Sequence, residues 1–274
     1  MLMDLFNKSS DSGLLKEVYT DIAQPGVKKV GLALETVLDF ANTLLIPIKL
    51  MNEKSKVFLS IHMNKYKENM EDIEENKIAV VPPELGVPIL QKLTYTTNET
   101  IAEMFINLLT KASALETSDS AHPRFIEMIN SMSVDEAKIL EYLVVNNYSY
   151  TPFILFRANK LTDQNFTYTK TERTGLEKVV ELMYPSNINL YLDNLVGLGI
   201  LRRVDGFVPI SGNKMTPEEL EQIYERDKKT LSEYINNKPD AGHYTIEKII
   251  GHFDVTKIGN SFLKTCYKPN KETP

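Results

Sequence analysis

Eighteen residues, NLYLDNLVGLGILRRVDG from Asn189 to Gly206, constrain the fold more than any other stretch of this chain. Ile188, Tyr191, Leu192, Leu195, Val196 and Leu198 recur at helical spacing and must face a core, so a helix runs to about Gly197. Gly199 then turns the chain, ILRRV reads as a short strand, and DGF as a turn. The flanking residues set the order of elements around this unit. Ser133-Val-Asp-Glu136 is a capping box that opens a helix through Val145, with Ala137, Leu140, Leu143 and Val144 inward. A second helix is expected over Gly175–Met183. After the turn, Thr216-Pro-Glu-Glu219 is another capping box, with Pro217 at the first helical position, and opens a charged helix to about Asn236. HYTIEKIIGHFDV is strand-like, and a last helix starts at Thr256. Helix, helix, helix, strand, turn, strand is the order of a winged helix, here with a helix of about 216–236 inserted in the wing. The tract Asn147–Thr174, rich in Thr, Tyr and Asn, supports no assignment.

The N-terminal half reads as helices. GVKKVGLALETVLDFANTLLIPIKLMN, Gly26–Asn52, places Lys28, Glu35, Asp39, Asn42 and Lys49 on one side. Leu34, Val37, Leu38, Phe40, Ala41, Leu44 and Leu45 lie on the other. About 20 apolar residues would cross a bilayer, but an acid at a helix centre costs about 2.5–3.5 kcal/mol on insertion scales. Glu35 and Asp39 therefore favour a buried helix, and peripheral membrane contact through residues 26–52 stays open. Glu53–Lys77 is a charged amphipathic helix with Val57, Ile61, Tyr66 and Met70 expected inward. VVPPELGVP, with its three prolines and a glycine, reads as a connector. Asn98 is the N-cap of a helix carrying Ile101, Met104, Phe105, Leu108, Leu109 and Ala112. A short helix follows over Pro123–Asn130. The expected fold class is thus mainly α: an N-terminal helical domain, 1–130, followed by a winged-helix-like α+β domain, 131–274.

Charge bears on what such a domain does. The chain carries a net −6, of which −5 falls in residues 1–130 and −1 in residues 131–274. Neither half is the basic body that gains affinity by neutralising phosphates. The outward face of the Ile188 helix offers Asn189, Leu190, Asp193, Asn194 and Gly197, with no cation, whereas a groove-reading helix needs donors for guanine or phosphate. Arg202 and Arg203 on the following strand are the nearest positive charges. Asn189, Asp193, Asn194, Arg202 and Arg203 therefore form a candidate partner surface, with DNA disfavoured as the partner.

Residues able to do chemistry are few. His62, His122, His243 and His252 lack metal-ligand spacing with Cys, Asp or Glu. GLG at Gly197–Gly199 lacks the third glycine and preceding strand of a dinucleotide loop, and no P-loop, nucleophile elbow or kinase signature occurs. Neither a catalytic residue, nor a cofactor, nor a metal site is assigned. One cysteine, Cys266, excludes an internal disulfide framework and fits a reducing cytosol. MLMDLFNKSSDSG shows no secretory signal, so the expected location is cytoplasmic.

Four stretches together resemble a known family. QPGVKKVGLALETVLDFANTLLIPIKLMNEK (Gln24–Lys54), HPRFIEMINSMSVDEAKIL (His122–Leu140), LYLDNLVGLGIL (Leu190–Leu201) and VTKIGNSFLKTC (Val255–Cys266) are similar, in order, to Abi-alpha proteins. The resemblance extends from about Leu14 to Cys266. It is weakest over Asn147–Thr174 and after Thr216. These bacterial proteins are named for abortive infection, in which an infected cell stops growing or dies before phage matures. The resemblance implies a setting, phage defence, and brings no catalytic residue with it; a non-enzymatic defence protein would bind a phage or host protein, or a membrane surface. A winged-helix transcriptional regulator is the competing reading of the same C-terminal order.

Overall fold

The computed structural model describes residues 28–37, 53–161, 167–207 and 216–268. They fall into two compact units: Met1–Ser131 with Lys264–Lys268, and Met132–Leu263 with Pro269–Pro274.

The first unit is helical. Helix α1, Lys28–Ala33, and the turn that prolongs it to Val37 bury Val30, Ala33, Leu34 and Val37, while Lys28 and Glu35 face water. This is the polar and apolar division read from the sequence. Asp39, Asn42, Lys49 and the apolar residues from Leu38 onward lie outside the described residues. Lys28 pairs with Glu75, and Val81 N–H donates to Ala33 O at 2.8 Å.

Helix α2, Glu53–Glu71, buries Leu59, His62, Tyr66 and Met70. Tyr66 and Met70 are inward as expected. Val57 and Ile61 are not, being 56% and 48% exposed. The buried stripe is set by what the helix packs on: Tyr66 donates to Ser113 Oγ at 2.5 Å, and His62 Nδ1 donates to Leu93 O at 2.9 Å. With few apolar residues, the sequence of α2 does not fix that rotation.

The proline-rich stretch is not merely a connector. After an extended Pro82, Pro83–Leu93 forms helix α3, with Pro83 at the first position, where the missing N–H has no intrahelical partner to lose. Pro88 is tolerated inside because Leu85, Gly86, Ile89 and Leu93 are all buried. Tertiary packing overrides propensity here. Helix α4, Glu99–Ala112, starts where the cap predicts: Ile101 N–H donates to Asn98 Oδ1 at 3.1 Å. Helix α5, Arg124–Asn130, completes the series, burying Phe125, Ile126, Met128 and Ile129.

The second unit opens with helix α6, Val134–Val145, whose Ser133/Glu136 capping box forms in full. The unassigned tract then supplies strand β1, Tyr150–Lys160, and the short β2, Thr167–Thr169. β1 escapes a period-two reading because Tyr150 to Phe156 are buried on both faces. Pro152 sits in it without breaking a ladder bond. Ile154 N–H and C=O point toward Arg173, away from the strand Tyr244–Val255 that pairs along the whole of β1, so the nitrogen of Pro152, two residues earlier, does too.

The expected second helix shrinks to α7, Leu176–Val179. Its continuation is lost because the Met183 and Tyr184 N–H groups donate to Asp135 instead. Helix α8, Ile188–Gly197, and strand β3, Leu201–Asp205, follow. The helix beyond Thr216 is two: α9, Pro217–Ile223, and α10, Glu225–Asn236. They part at Tyr224, whose side chain is buried and donates to Glu177 Oε1 at 2.6 Å.

Strand β4, Tyr244–Val255, pairs with all of β1, Tyr150 opposite Asp254 to Lys160 opposite Tyr244. β3 pairs only with its last part, Leu201 opposite Val255 to Asp205 opposite Gly251. The antiparallel sheet has the order β2-β1-β4-β3. Leu220 of α9, Tyr224 between the two helices, and Leu231 and Ile235 of α10 close a core on Ile154, Phe156 and Ala158. Thr256 starts helix α11, Lys257–Cys266, accepting from Gly259 N–H at 2.9 Å. Its end, from Lys264, belongs with the first unit, where Asn107 Nδ2 donates to Cys266 O at 2.9 Å.

Candidate interaction surface

Helix α8 is held from inside. Ile188, Tyr191, Leu192 and Leu195 are buried at i, i+3, i+4, i+7 spacing; Val196 and Leu198 are half-buried. At its end Gly199 N–H donates to Val196 O and Ile200 N–H to Leu195 O, with Gly199 at φ 78°. This Schellman closure needs the left-handed conformation that glycine adopts without strain.

The helix start is fixed by a buried acid that sequence reading passed over. Asp135 Oδ1 accepts from Met183 N–H at 2.8 Å; its Oδ2 accepts from Tyr184 N–H at 2.9 Å and Tyr191 Oη at 2.8 Å. Burial alone would raise the Asp135 pKa, but those three donors and the nearby Lys138 hold it below the ordinary carboxylate value. Beside it, Glu136 accepts from Ser133 N–H through Oε2 and from Asn194 Nδ2, at 2.7 Å, through Oε1. In the sequence both acids look like ordinary first-turn residues complementing a helix dipole. Only the fold reveals their second set of partners.

The five residues singled out from the sequence therefore sit differently from one another. Asp193 is exposed, while Asn189 is partly buried and its Oδ1 meets no donor. Asn194 is turned to Glu136. Arg202 and Arg203 lie next along the chain on β3, and both are matched by acids. Arg202 Nη2 donates to Asp254 Oδ2 at 2.7 Å. Arg203 pairs with Glu172 at 2.7 Å and Asp205 at 2.9 Å, its guanidinium 5.0 Å from the Phe153 ring centre. α8 presents Leu190, Asp193 and Gly197 to water, and its approach is exposed from Met183 through Asn187; Met183 is 68% and Leu190 64% exposed. Leu190 was legible as outward from the helical period. Met183 was not, since it was expected as the last residue of a longer helix, and no reading singled out Tyr184.

The histidines serve the structure where their partners are seen: His122 Nδ1 accepts from Arg124 N–H at 3.0 Å, and His252 Nδ1 donates to Phe207 O at 2.7 Å. Burial pushes the Cys266 thiol well above its ordinary pKa. Among the described residues, no group of three or more His, Cys, Asp or Glu side chains is placed to hold a metal ion.

These elements make a mainly helical protein with a small four-stranded antiparallel sheet. The chain belongs to the abortive infection alpha family, whose model matches residues 54–266. That match begins later than the resemblance read from the sequence, which starts at about Leu14, and ends at the same residue, Cys266. No curated protein matches the sequence. Among solved structures, an uncharacterized protein from the hydrocarbon-degrading marine bacterium Alcanivorax borkumensis SK2 is similar at 12% identity. The likeness covers 55% of this chain and 95% of the other, with a TM-score of 0.31, and carries no argument.

Proposed function

We propose that this protein is a cytoplasmic phage-defence factor that arrests the infected cell by binding a phage or host protein, without catalysing a reaction. We further propose that its second unit is a winged-helix-like module turned to protein recognition. Family membership supports the defence role. The module reading rests on the order α6, β1, α7, α8, β3, β4 with β4 between β1 and β3 in the sheet. The single observation behind protein recognition is the outward face of α8, which offers Leu190, Asp193 and Gly197 where a groove-reading helix would offer cations. The nearest arginines are already paired with acids. A hydrophobic residue ringed by polar ones suits a protein partner better than phosphates.

The first unit supplies the other contact, with residues 26–52 the route to a membrane surface if one is used. No helix among the described residues is long and apolar enough to cross a bilayer.

The test is phage plating with the wild type and Leu190→Asp at matched abundance, alongside capture of partners from infected and uninfected cells. Leu190 is exposed, so the variant should melt like the wild type yet lose protection and a captured protein together. A variant that still protects in full would overturn the role of α8. Sub-micromolar, salt-sensitive duplex binding, lost on Arg202→Ala with Arg203→Ala, would replace protein recognition with DNA recognition.

A further inference from the structure

We propose that Met183 and Tyr184 are the anchors of the interface made by α8, and that they enter an apolar pocket of a protein rimmed by Lys or Arg. This rests on the reading of α8 as the recognition element, and names the chemistry of what it meets. The Met183 and Tyr184 amides and the Tyr191 hydroxyl, in the first turn of α8, all donate to the one buried carboxylate of Asp135. The Tyr184 carbonyl in turn accepts from Asn187 N–H at 3.0 Å. The main chain of the approach is thus tied to α8 from inside, while Met183 is 68%, Tyr184 58% and Leu190 64% exposed. A thioether, a phenol ring and an isobutyl group are offered on backbone already held in place, so less conformational entropy opposes association. Tyr is enriched among residues that dominate interfaces, and Met adapts to irregular apolar surface.

The charges choose the occupant. From Glu181 to Gly197 the chain carries two acids, Glu181 and Asp193, both exposed, and neither Lys nor Arg. Two lysines flank the stretch. Lys178 holds its ammonium 5.7 Å from the Tyr224 ring centre. Lys138 donates to Glu181 O at 2.8 Å, its charge set against the Asp135 carboxylate. The phosphates of a duplex or of an anionic membrane would therefore meet carboxylates. A second copy docking through this same face would bring the two acids on both sides of the contact. A basic rim on a protein is attracted by those charges, and an apolar pocket inside it takes up the ring and the thioether.

The experiment puts the photo-cross-linker benzoyl-phenylalanine in place of Tyr184 in the full chain, with the same group in place of Tyr95, 57% exposed, as control. In phage-infected cells the label at 184, and not that at 95, should join one protein, at an apolar segment flanked by Lys or Arg. With that protein purified, Tyr184→Ala should weaken binding by about 30-fold or more, the loss that marks an anchor residue. Glu181→Lys with Asp193→Lys should slow association at low salt and abolish its decline as salt rises. These side chains are exposed, so the variants should melt like the wild type. An adduct to nucleic acid, to lipid, to a second copy or to an acidic segment overturns the proposal. So does the absence of any adduct, or a double variant that associates as fast as the wild type. Should the label at 184 itself abolish protection, the same label at Ser186, exposed beside it, decides. Leu190→Asp keeps the two readings apart. If it abolishes protection and position 184 gives no basic adduct, α8 stands and the anchors fall; if it protects in full, both fall.

Discussion

Asp135 shows how much one side chain does when the fold brings three donors to it. A carboxylate taking two backbone amides and a tyrosine hydroxyl is a charge-assisted cluster, and hydrogen bonds to charged groups contribute about 1.5–3 kcal/mol each. Asp135→Asn keeps the shape, puts an amide donor where an acceptor is needed, and should cost about 2–3 kcal/mol in denaturant unfolding. The same acid sets a pH dependence. Because its folded pKa lies below the unfolded value of about 3.9, its stabilisation is present above that value and is lost as pH falls through the folded pKa. The stability gap between wild type and Asp135→Asn should therefore be constant near neutrality and close in acid. A gap that persisted unchanged well below the folded pKa would show that the carboxylate charge is not what the amides hold.

Among the elements, the contact of α1 with α3 turns on a missing side chain. A Cβ on Gly86 would fall within the van der Waals envelope of both Val37 methyl groups, and Val37 is β-branched and fully buried. Gly86→Ala gains helix propensity, at most about 1 kcal/mol. It also overpacks the contact, at about 1–3 kcal/mol. We expect net destabilisation in thermal melts, and recovery in the double variant Gly86→Ala with Val37→Ala, which reopens the space. If the double variant is no better than Gly86→Ala, the clash is not at Val37. Helices α9 and α10 give a second case. Leu231 is buried on Phe156 and Ala158 with Leu220, so Leu231→Ala should cost about 2–5 kcal/mol. It should also loosen β1 and β4 where α9 and α10 cover them, with faster exchange there than in α4.

At the scale of the whole molecule, the chain order and the packing order disagree at the C-terminus. A boundary at residue 131 leaves Lys264–Lys268 with the sheet in sequence, but these residues pack with the first unit. Cys266 is fully buried and its carbonyl satisfies the buried Asn107 amide. A chain ending at Leu263 should therefore lose stability in α4 and its neighbours, by at least the 1–3 kcal/mol of an unsatisfied buried amide. Amide exchange should report the loss there first, ahead of β1 and β4. Loss confined to the sheet would contradict that assignment.

What the sequence determined by itself was local. Caps, breakers and helical periods rest on residues three or four apart. The boxes at Ser133 and Thr216, the Asn98 cap, the Gly199 stop and the inward face of α8 were therefore all legible. Only the tertiary structure decided the rest, because each such feature depends on partners far along the chain. α2 could be phased only by Leu93 and Ser113, and the prolines around Val81 became a helix only with Val37 against Gly86. β1 was hidden because both its faces are covered and the strand that pairs along its whole length, Tyr244–Val255, lies far along the chain. The candidate surface divides in the same way. Leu190 and Asp193 face outward by helical period alone. That Asn194 turns to Glu136, that Arg202 is neutralised by Asp254 and Arg203 by Glu172, and that Asp135 anchors the approach to α8 are long-range pairings, which no local pattern encodes.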